Sequence, residues 1–596
     1  MMGLSLRRLQ SPRIVESQAS LLIRFLNFER KLFQAIKDFM YTLKKSCRTA
    51  LLILSTASFL FAQDRNLRID GTNPKYEEGD WISYGVTRFT TAVAVGLQFA
   101  YFGTAGGGLA RYNFFSREWD FPFTTSNGLA DNFVTAIAFD ESNSYLWCAT
   151  KTSIGYYQPA SRRWQNTFKT NLGLSEYDDV VSIGVGEDDL LFVTAGGRQV
   201  AMNKYGGIGF PNNDGQGGGR KWYGQRAYER PPFPHYFISF GYFFEPEGFI
   251  KDTQLREAPI TSAAKDRWSN IWMGTFRFGV LNGDIDTKHL ELRPYGLYSP
   301  RVDAIGFDED GVWFAGRNDE PEESGVTFWD QRRKEWRYFE SQFNASILSD
   351  QVNRIKFDRE KVYFANRFGI NIYDKRRDRW TQITQGHGLV DEWVHDVEIA
   401  GDSLWAATDA GISLIQIHSI NSDSLKIEEI ARKHLISQPV FDVVAVEDTL
   451  WATTRLGIYR YEIKTGRGKF FGSAEGPYNN LVTCLARSGD EIWFGGEGSV
   501  EGYNFKNHQW LGLPERKDDL PGIVNAIAAD DDAVWAGTDS GLYKFNRKER
   551  FWRVFTRIDG LLDNRVLALE LDGDYIWIGA PEGATVFYWN DPYRID

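Results

Sequence analysis

The chain has 596 residues, 25% of them charged, and a formal net charge of −11. An acidic balance of that kind lacks the basic footprint of a nucleic-acid binder, so no nucleic-acid partner is expected. Three cysteines are too few for a disulfide framework, and the seven histidines are dispersed without His-x-His or His-x-x-x-His pairing, so neither a metal nor a cofactor is expected.

The N-terminus carries an export address. Met40 to Arg48 is basic, Thr49 to Phe61 is an apolar run, and Phe61-Ala62-Gln63 offers cleavage after Ala62. The run is shorter than the ~20 residues needed to span a bilayer, so residues 1–62 read as a signal peptide and no stable membrane insertion is expected after cleavage. Leu60 fits the −3 position less well than alanine would, which leaves the cut open by a few residues. Residues 1–39 form either an unusually long basic region or a stretch upstream of a true start at Met40; the second is favoured. The address places the mature chain in the periplasm or outside the cell. Residues 63–84 follow, and Asp80-Trp81-Ile82-Ser83-Tyr84 matches an outer-strand pattern found later at Arg379-Trp380 and Glu335-Trp336-Arg337-Tyr338. The last repeat stops near Tyr588-Trp589 without such a strand, so the N-terminal segment is expected to complete the C-terminal one.

From residue 85 one phrase recurs: an apolar strand, an acidic turn, then Trp-x-Gly/Ala-Thr and a glycine. It stands as Val534-Trp535-Ala536-Gly537-Thr538-Asp539-Ser540-Gly541 and as Leu404-Trp405-Ala406-Ala407-Thr408-Asp409-Ala410-Gly411. Eleven copies are anchored at Phe102, Trp147, Phe192, Trp272, Trp313, Tyr363, Trp405, Trp451, Trp493, Trp535 and Trp577, the last four separated by 42 residues each. Each copy parses into four strands with period-2 alternation and Asp/Gly turns. Self-similarity at this period with four strands per unit predicts an all-β fold of tandem β-propellers, about eleven four-stranded blades with the anchor rings packed between blades. Too many for one ordinary ring, the blades are divided as a first propeller at 85–345 and a second at 346–596. The 80-residue gap between Phe192 and Trp272 is read as a hairpin inserted at about 209–258, with a failed blade as the alternative. The Trp residues are read as core, not as a sugar platform. Cys148 and Cys484 read as unpaired core residues.

The copies Val134-Thr135-Ala136-Ile137-Ala138-Phe139-Asp140 with Leu146-Trp147-Cys148-Ala149-Thr150, and the junctions Asn127-Gly128-Leu129-Ala130-Asp131-Asn132, Gly388-Leu389-Val390-Asp391 and Gly560-Leu561-Leu562-Asp563-Asn564, resemble the two-component regulator propeller family over roughly 85–596. The resemblance implies a ligand-binding extracytoplasmic propeller. The sequence carries no transmembrane helix, immunoglobulin-like connector or kinase segment after the repeats, so it looks like the stand-alone secreted type.

No G-x-S-x-G elbow, Cys/His pair or calcium-loop spacing appears; Asp530-Asp531-Asp532 and Asp308-Glu309-Asp310-Gly311 sit where hairpin turns are needed. The candidate ligand-binding residues lie on turns between second and third strands and on one junction, all expected on one face: Arg277, Phe278, Arg317, Arg367, Phe368, Arg455, His387 and Asp391. Arginine forks beside aromatic planes suit carboxylates, uronic acids or an acidic protein surface. The function expected is a non-enzymatic binding or scaffold protein with a protein or glycan partner; a polysaccharide lyase or hydrolase and a detached two-component sensor are the alternatives.

Overall fold

The computed structural model describes residues 76–594 apart from 205–208, 212–218, 226–232, 240, 319–323, 421–424, 431–434, 436, 478–479, 512 and 514–519. The expected signal peptide lies outside the described residues. Among them there are eleven β-sheets, nine of four strands, one of five and one of seven, with every strand pair antiparallel except that of Phe237–Ile238 with His289–Arg293. In chain order the sheets occupy 90–123, 134–168, 180–224, 237–293, 304–339, 352–383, 394–430, 440–471, 482–511, 524–555 and 568–588. The protein is a β-propeller assembly.

The recurring phrase folds for local reasons. In the tenth sheet, the Asp530 carboxylate accepts from the N–H groups of Asp532 and Ala533 at 2.9 and 2.7 Å, which fixes the acidic turn. After the Trp strand, Thr538 Oγ1 donates to the Gly541 carbonyl at 3.0 Å and accepts from Ser540 N–H at 3.0 Å. Gly541 has φ +140°, and a Cβ there would meet the Phe555 carbonyl at 2.8 Å. Thr408 with Gly411 and Thr454 with Gly457 repeat the arrangement. The Thr-x-x-Gly spacing is therefore a turn clasp.

All eleven anchors stand on the strand that follows the inner strand of their blade, and none is more than 3% exposed. They pack across blade boundaries. Trp313 lies 5.3 Å from Phe364 of the sixth sheet, Trp451 6.2 Å from Phe494 of the ninth, and Trp272 5.7 Å from Phe102 of the first. Full burial of such a ring contributes several kcal/mol at area-based rates.

A second inter-blade device is a bulge near the start of the inner strand. The register shifts there in nine sheets. At several of them the bulged side chain reaches the first inner-strand carbonyl of the next sheet: Thr91 to Val134 (2.6 Å), Thr261 to Thr90 (2.8 Å), Asn353 to Val394 (2.8 Å) and Thr483 to Val524 (2.6 Å).

These contacts set the division of the chain. Inner strands of the fifth to eleventh sheets touch in sequence, and the inner strand of the fifth packs on the eleventh, where Val302 N–H donates to the Ala580 carbonyl at 3.0 Å and Trp577 lies 5.6 Å from Phe314. The strand Trp81–Tyr84 supplies the outer strand of the eleventh sheet, pairing Trp81 with Phe587 and Tyr84 with Ala584. Seven sheets thus form one closed cycle. The fourth, first, second and third sheets pack in that order as the other group. A boundary near residue 345, dividing the blades five and six, is corrected: the sheet at 304–339 belongs with those after it. Repeat spacing identifies a blade but carries no information on which neighbour closes the ring.

The insert at 209–258 also differs from a hairpin standing between blades. Lys221–Gly224 bonds to the inner strand of the third sheet. The hairpin Tyr242–Glu245 with Phe249–Asp252 forms, but adds to the inner edge of the fourth sheet, while Phe237–Ile238 pairs parallel to its outer strand. The inner strands held unpaired backbone edges that these segments fill. The two groups share a core in which Phe102, Trp272, Tyr295, Tyr84, Trp336 and Trp577 pack together.

Candidate functional site

The junction residues have structural duties first. Asp131, Asp391 and Asp563 each accept from the backbone N–H two residues on, all at 2.8 Å, and Asn132 and Asn564 each accept from an N–H seven residues upstream at 2.9 Å. Asp391 is therefore one of a set of junction clasps. His387 is exposed, but its Nδ1 takes the Thr384 N–H at 3.1 Å and lies 2.9 Å from the Thr384 hydroxyl, closing its own turn.

Of the turn residues, Phe278 is a correction: expected exposed, it is 9% exposed and packs edge-on against Tyr242 at 5.3 Å in the core of the fourth sheet. The inserted hairpin, invisible to the repeat pattern, covers it. Arg277 is half-buried, and its N–H donates to the Arg88 carbonyl at 3.0 Å. Arg317 is exposed and binds Asp303, which also holds Arg301 at 2.7 Å and whose carboxyl the two guanidinium groups keep below its usual range despite burial. The Pro321-Glu322-Glu323 stretch beside it lies outside the described residues.

Arg367 and Phe368 are exposed and sit in a cluster that the repeats had not marked. The Arg367 guanidinium lies 5.1 Å over Trp393, which stacks at 5.8 Å on His395; His395 meets Phe441 edge-on at 5.8 Å and binds Asp409 at 2.7 Å. Arg455 and the 52%-exposed Leu456 occupy the equivalent turn of the eighth sheet. This gives the seven-sheet cycle a half-exposed aromatic and cationic surface.

Inside the same cycle the inner strands carry charge. Arg354 lies 3.6 Å from Asp396 and 2.9 Å from Asp442, and Lys356 lies 3.8 Å from Glu398. Burial, then the neighbouring Asp442, pushes the Asp396 carboxyl well above its usual range, against the pull of Lys356 and Arg354. Asp396, Asp442 and Cys484 each follow the bulge of their strand, so the repeat phase alone could have placed them together. No group of three or more metal-ligating side chains occurs among the described residues.

Two clefts lie where the sheet groups meet. One, of ≈340 Å³, is bolted by Arg256, which binds Asp252 and Glu340 at 2.7 Å each and lies 4.5 Å over Phe343. The other, of ≈450 Å³, gathers turns from both groups: Phe89, Asn132, Phe133 and Phe276 from one side, Pro300 and Glu582 from the other. Phe276 is 42% exposed and tilts against Phe89 at 5.1 Å. This volume is in the range of small-ligand sites. It was missed because Phe89, Phe133 and Phe276 stand hundreds of positions before Glu582 in the chain, and the two walls meet only where Tyr84–Phe89 crosses between the groups.

No family model matches the chain, and no curated protein is similar to it. Solved structures similar to it include the extracellular domain of BT3049 from B. thetaiotaomicron, described as a hybrid two-component system (16% identity, 87% of this chain and 77% of that one, TM-score 0.42). The extracellular domain of BT4673 from the same organism is similar too (16%, 84% and 70%, TM-score 0.43), as is PorZ, a surface component of the type-IX secretion system of Porphyromonas gingivalis (12%, 84% and 73%, TM-score 0.42). The propeller architecture rests on the eleven sheets themselves. No helix among the described residues is long and apolar enough to cross a membrane.

Proposed function

We propose that this protein is an exported, non-catalytic propeller that engages a protein or glycan partner through its turns and junctions. One observation carries the reading: the ≈450 Å³ cleft, where turns of both sheet groups converge on half-exposed phenylalanine rings. A rigid scaffold that presents exposed loop side chains is the usual setting for recognition. The export address at residues 1–62 supports an extracytoplasmic partner. The test is to incubate the purified protein with glycan panels and envelope extract, reading thermal shift, retained partners and released products. Retention of a partner without turnover, weakened by Phe276→Ala, is the expected result. Release of a cleaved product would overturn the non-catalytic reading, and a Phe276→Ala protein that retains its partner at full strength would move the site elsewhere.

A further inference from the structure

We infer that the ≈450 Å³ cleft recognises a protonated amine, an inference that rests on the cleft being the binding site proposed above. Three phenylalanine rings, Phe89, Phe133 and Phe276, line it together with two carboxylates, Asp131 and Glu582. A ring face attracts a cation through its quadrupole, and a carboxylate within reach fixes the ammonium protons; the combination selects alkylammonium groups over neutral or anionic ones.

The only arginine of the lining is engaged elsewhere. Arg88 is 5% exposed, donates from Nε to the Tyr298 carbonyl at 3.3 Å, and is held 4.3 Å over Phe89 and 4.4 Å over Tyr298. It stiffens the wall. Asp131 uses one oxygen to accept the Phe133 N–H at 2.8 Å, and Glu582 is exposed on its turn. The lining therefore carries two carboxylates against one committed guanidinium. An example of the chemistry is already built in: the Lys151 ammonium lies 4.7 Å over Phe133 while binding Asp179 at 2.7 Å. A ring of this lining, with a carboxylate beside the ammonium, already holds a cation.

The amine can be carried on a sugar ring or on an aliphatic stem, and calorimetric titration of the full mature protein separates the two. The probes are glucosamine, its neutral N-acetyl derivative, and cadaverine. Binding of glucosamine alone places the ammonium on a sugar, and binding of cadaverine as well shows that the ammonium suffices; either supports the inference. Glu582→Gln and Asp131→Asn, which keep shape and the Phe133 clasp, are each expected to weaken amine binding about tenfold or more. Arg376→Ala, on the exposed turn between Asp374 and Arg379 where it pairs with Glu360, is expected to leave it unchanged. N-acetylglucosamine binding as tightly as glucosamine, or amine affinity that survives both carboxylate substitutions, would overturn the inference. So would the absence of amine binding. If an envelope partner is retained in a Phe276-dependent way while the amines fail, this inference alone falls; if neither is retained, the cleft is not the site.

Discussion

Replacing Trp81 by alanine tests the closure of the seven-sheet cycle at its weakest covalent point, where the two ends of the described chain meet. Trp81 is 2% exposed, stacks on Phe587 at 3.7 Å with rings 7° apart, and meets Tyr76 edge-on at 5.7 Å. Burying a ring of this size removes roughly 150–250 Å² from water, or about 4–6 kcal/mol at 25 cal/mol per Å². Measured losses for buried Trp→Ala run at about 3–5 kcal/mol, so both routes converge near 4 kcal/mol. The loss is local, because the strand stays tied to its partner by backbone bonds such as Tyr588 N–H to the Asp80 carbonyl at 2.9 Å and by the Ser83 and Thr585 hydroxyls at 2.7 Å. Hydrogen exchange is therefore the assay. Amides of Gly583–Tyr588 that pair with Trp81–Tyr84 are expected to exchange hundreds of times faster in the variant, about tenfold per 1.4 kcal/mol. Trp268, 45% exposed, is the control, and its alanine variant is expected to cost under about 1 kcal/mol. Equal effects at the two positions, or unchanged protection of the eleventh sheet in Trp81→Ala, would refute the closure argument.

Three further outcomes follow from named contacts. Burial raises the Asp350 carboxyl to about 7, against two hydrogen bonds from Ser341 and with Glu340 adding to the rise, so the folded state holds this proton more tightly than the unfolded one. Its contribution to stability is full below about pH 4 and is lost as pH rises toward 7, and Asp350→Asn is expected to flatten that decline in a urea series by a few kcal/mol. Thr483→Val removes the 2.6 Å bond to the Val524 carbonyl between the ninth and tenth sheets and is expected to cost about 1–2 kcal/mol in the same assay. Arg354→Met leaves Asp396 and Asp442 without their shared cation and is expected to cost about 3–5 kcal/mol near pH 8, less at pH 5, where Asp396 takes up a proton more readily. An equal cost at both pH values would show that the carboxylates are not the reason.

Much of the fold was legible because a blade is a local object. Strand, acidic turn, Trp strand and Thr-x-x-Gly clasp are all decided within some twenty residues, as Asp530, Trp535, Thr538 and Gly541 illustrate. The closing strand was legible too, because Trp81 repeats the outer-strand pattern of Trp336 and Trp380. Of the candidate site, Arg367, Phe368, Arg317 and Arg455 are exposed on their turns, but Phe278 is core and His387 and Asp391 clasp their own backbone. Histidine and aspartate at a junction have the same identity whether they bind a ligand or an adjacent N–H, and only the coordinates separate the two.

The sequence by itself determined the all-β repeat, the position of every anchor ring and the four-strand plan of the ordinary blade, since each depends on neighbours close along the chain. Tertiary structure alone decided that seven sheets close into one cycle and four pack beside it. It also decided that segments of the insert add to inner and outer edges of the third and fourth sheets, and that Phe89, Phe133, Phe276, Asp131 and Glu582 line a common cleft. Those outcomes depend on which distant surfaces bury the most apolar area against each other, a comparison between alternative assemblies that no window of residues contains.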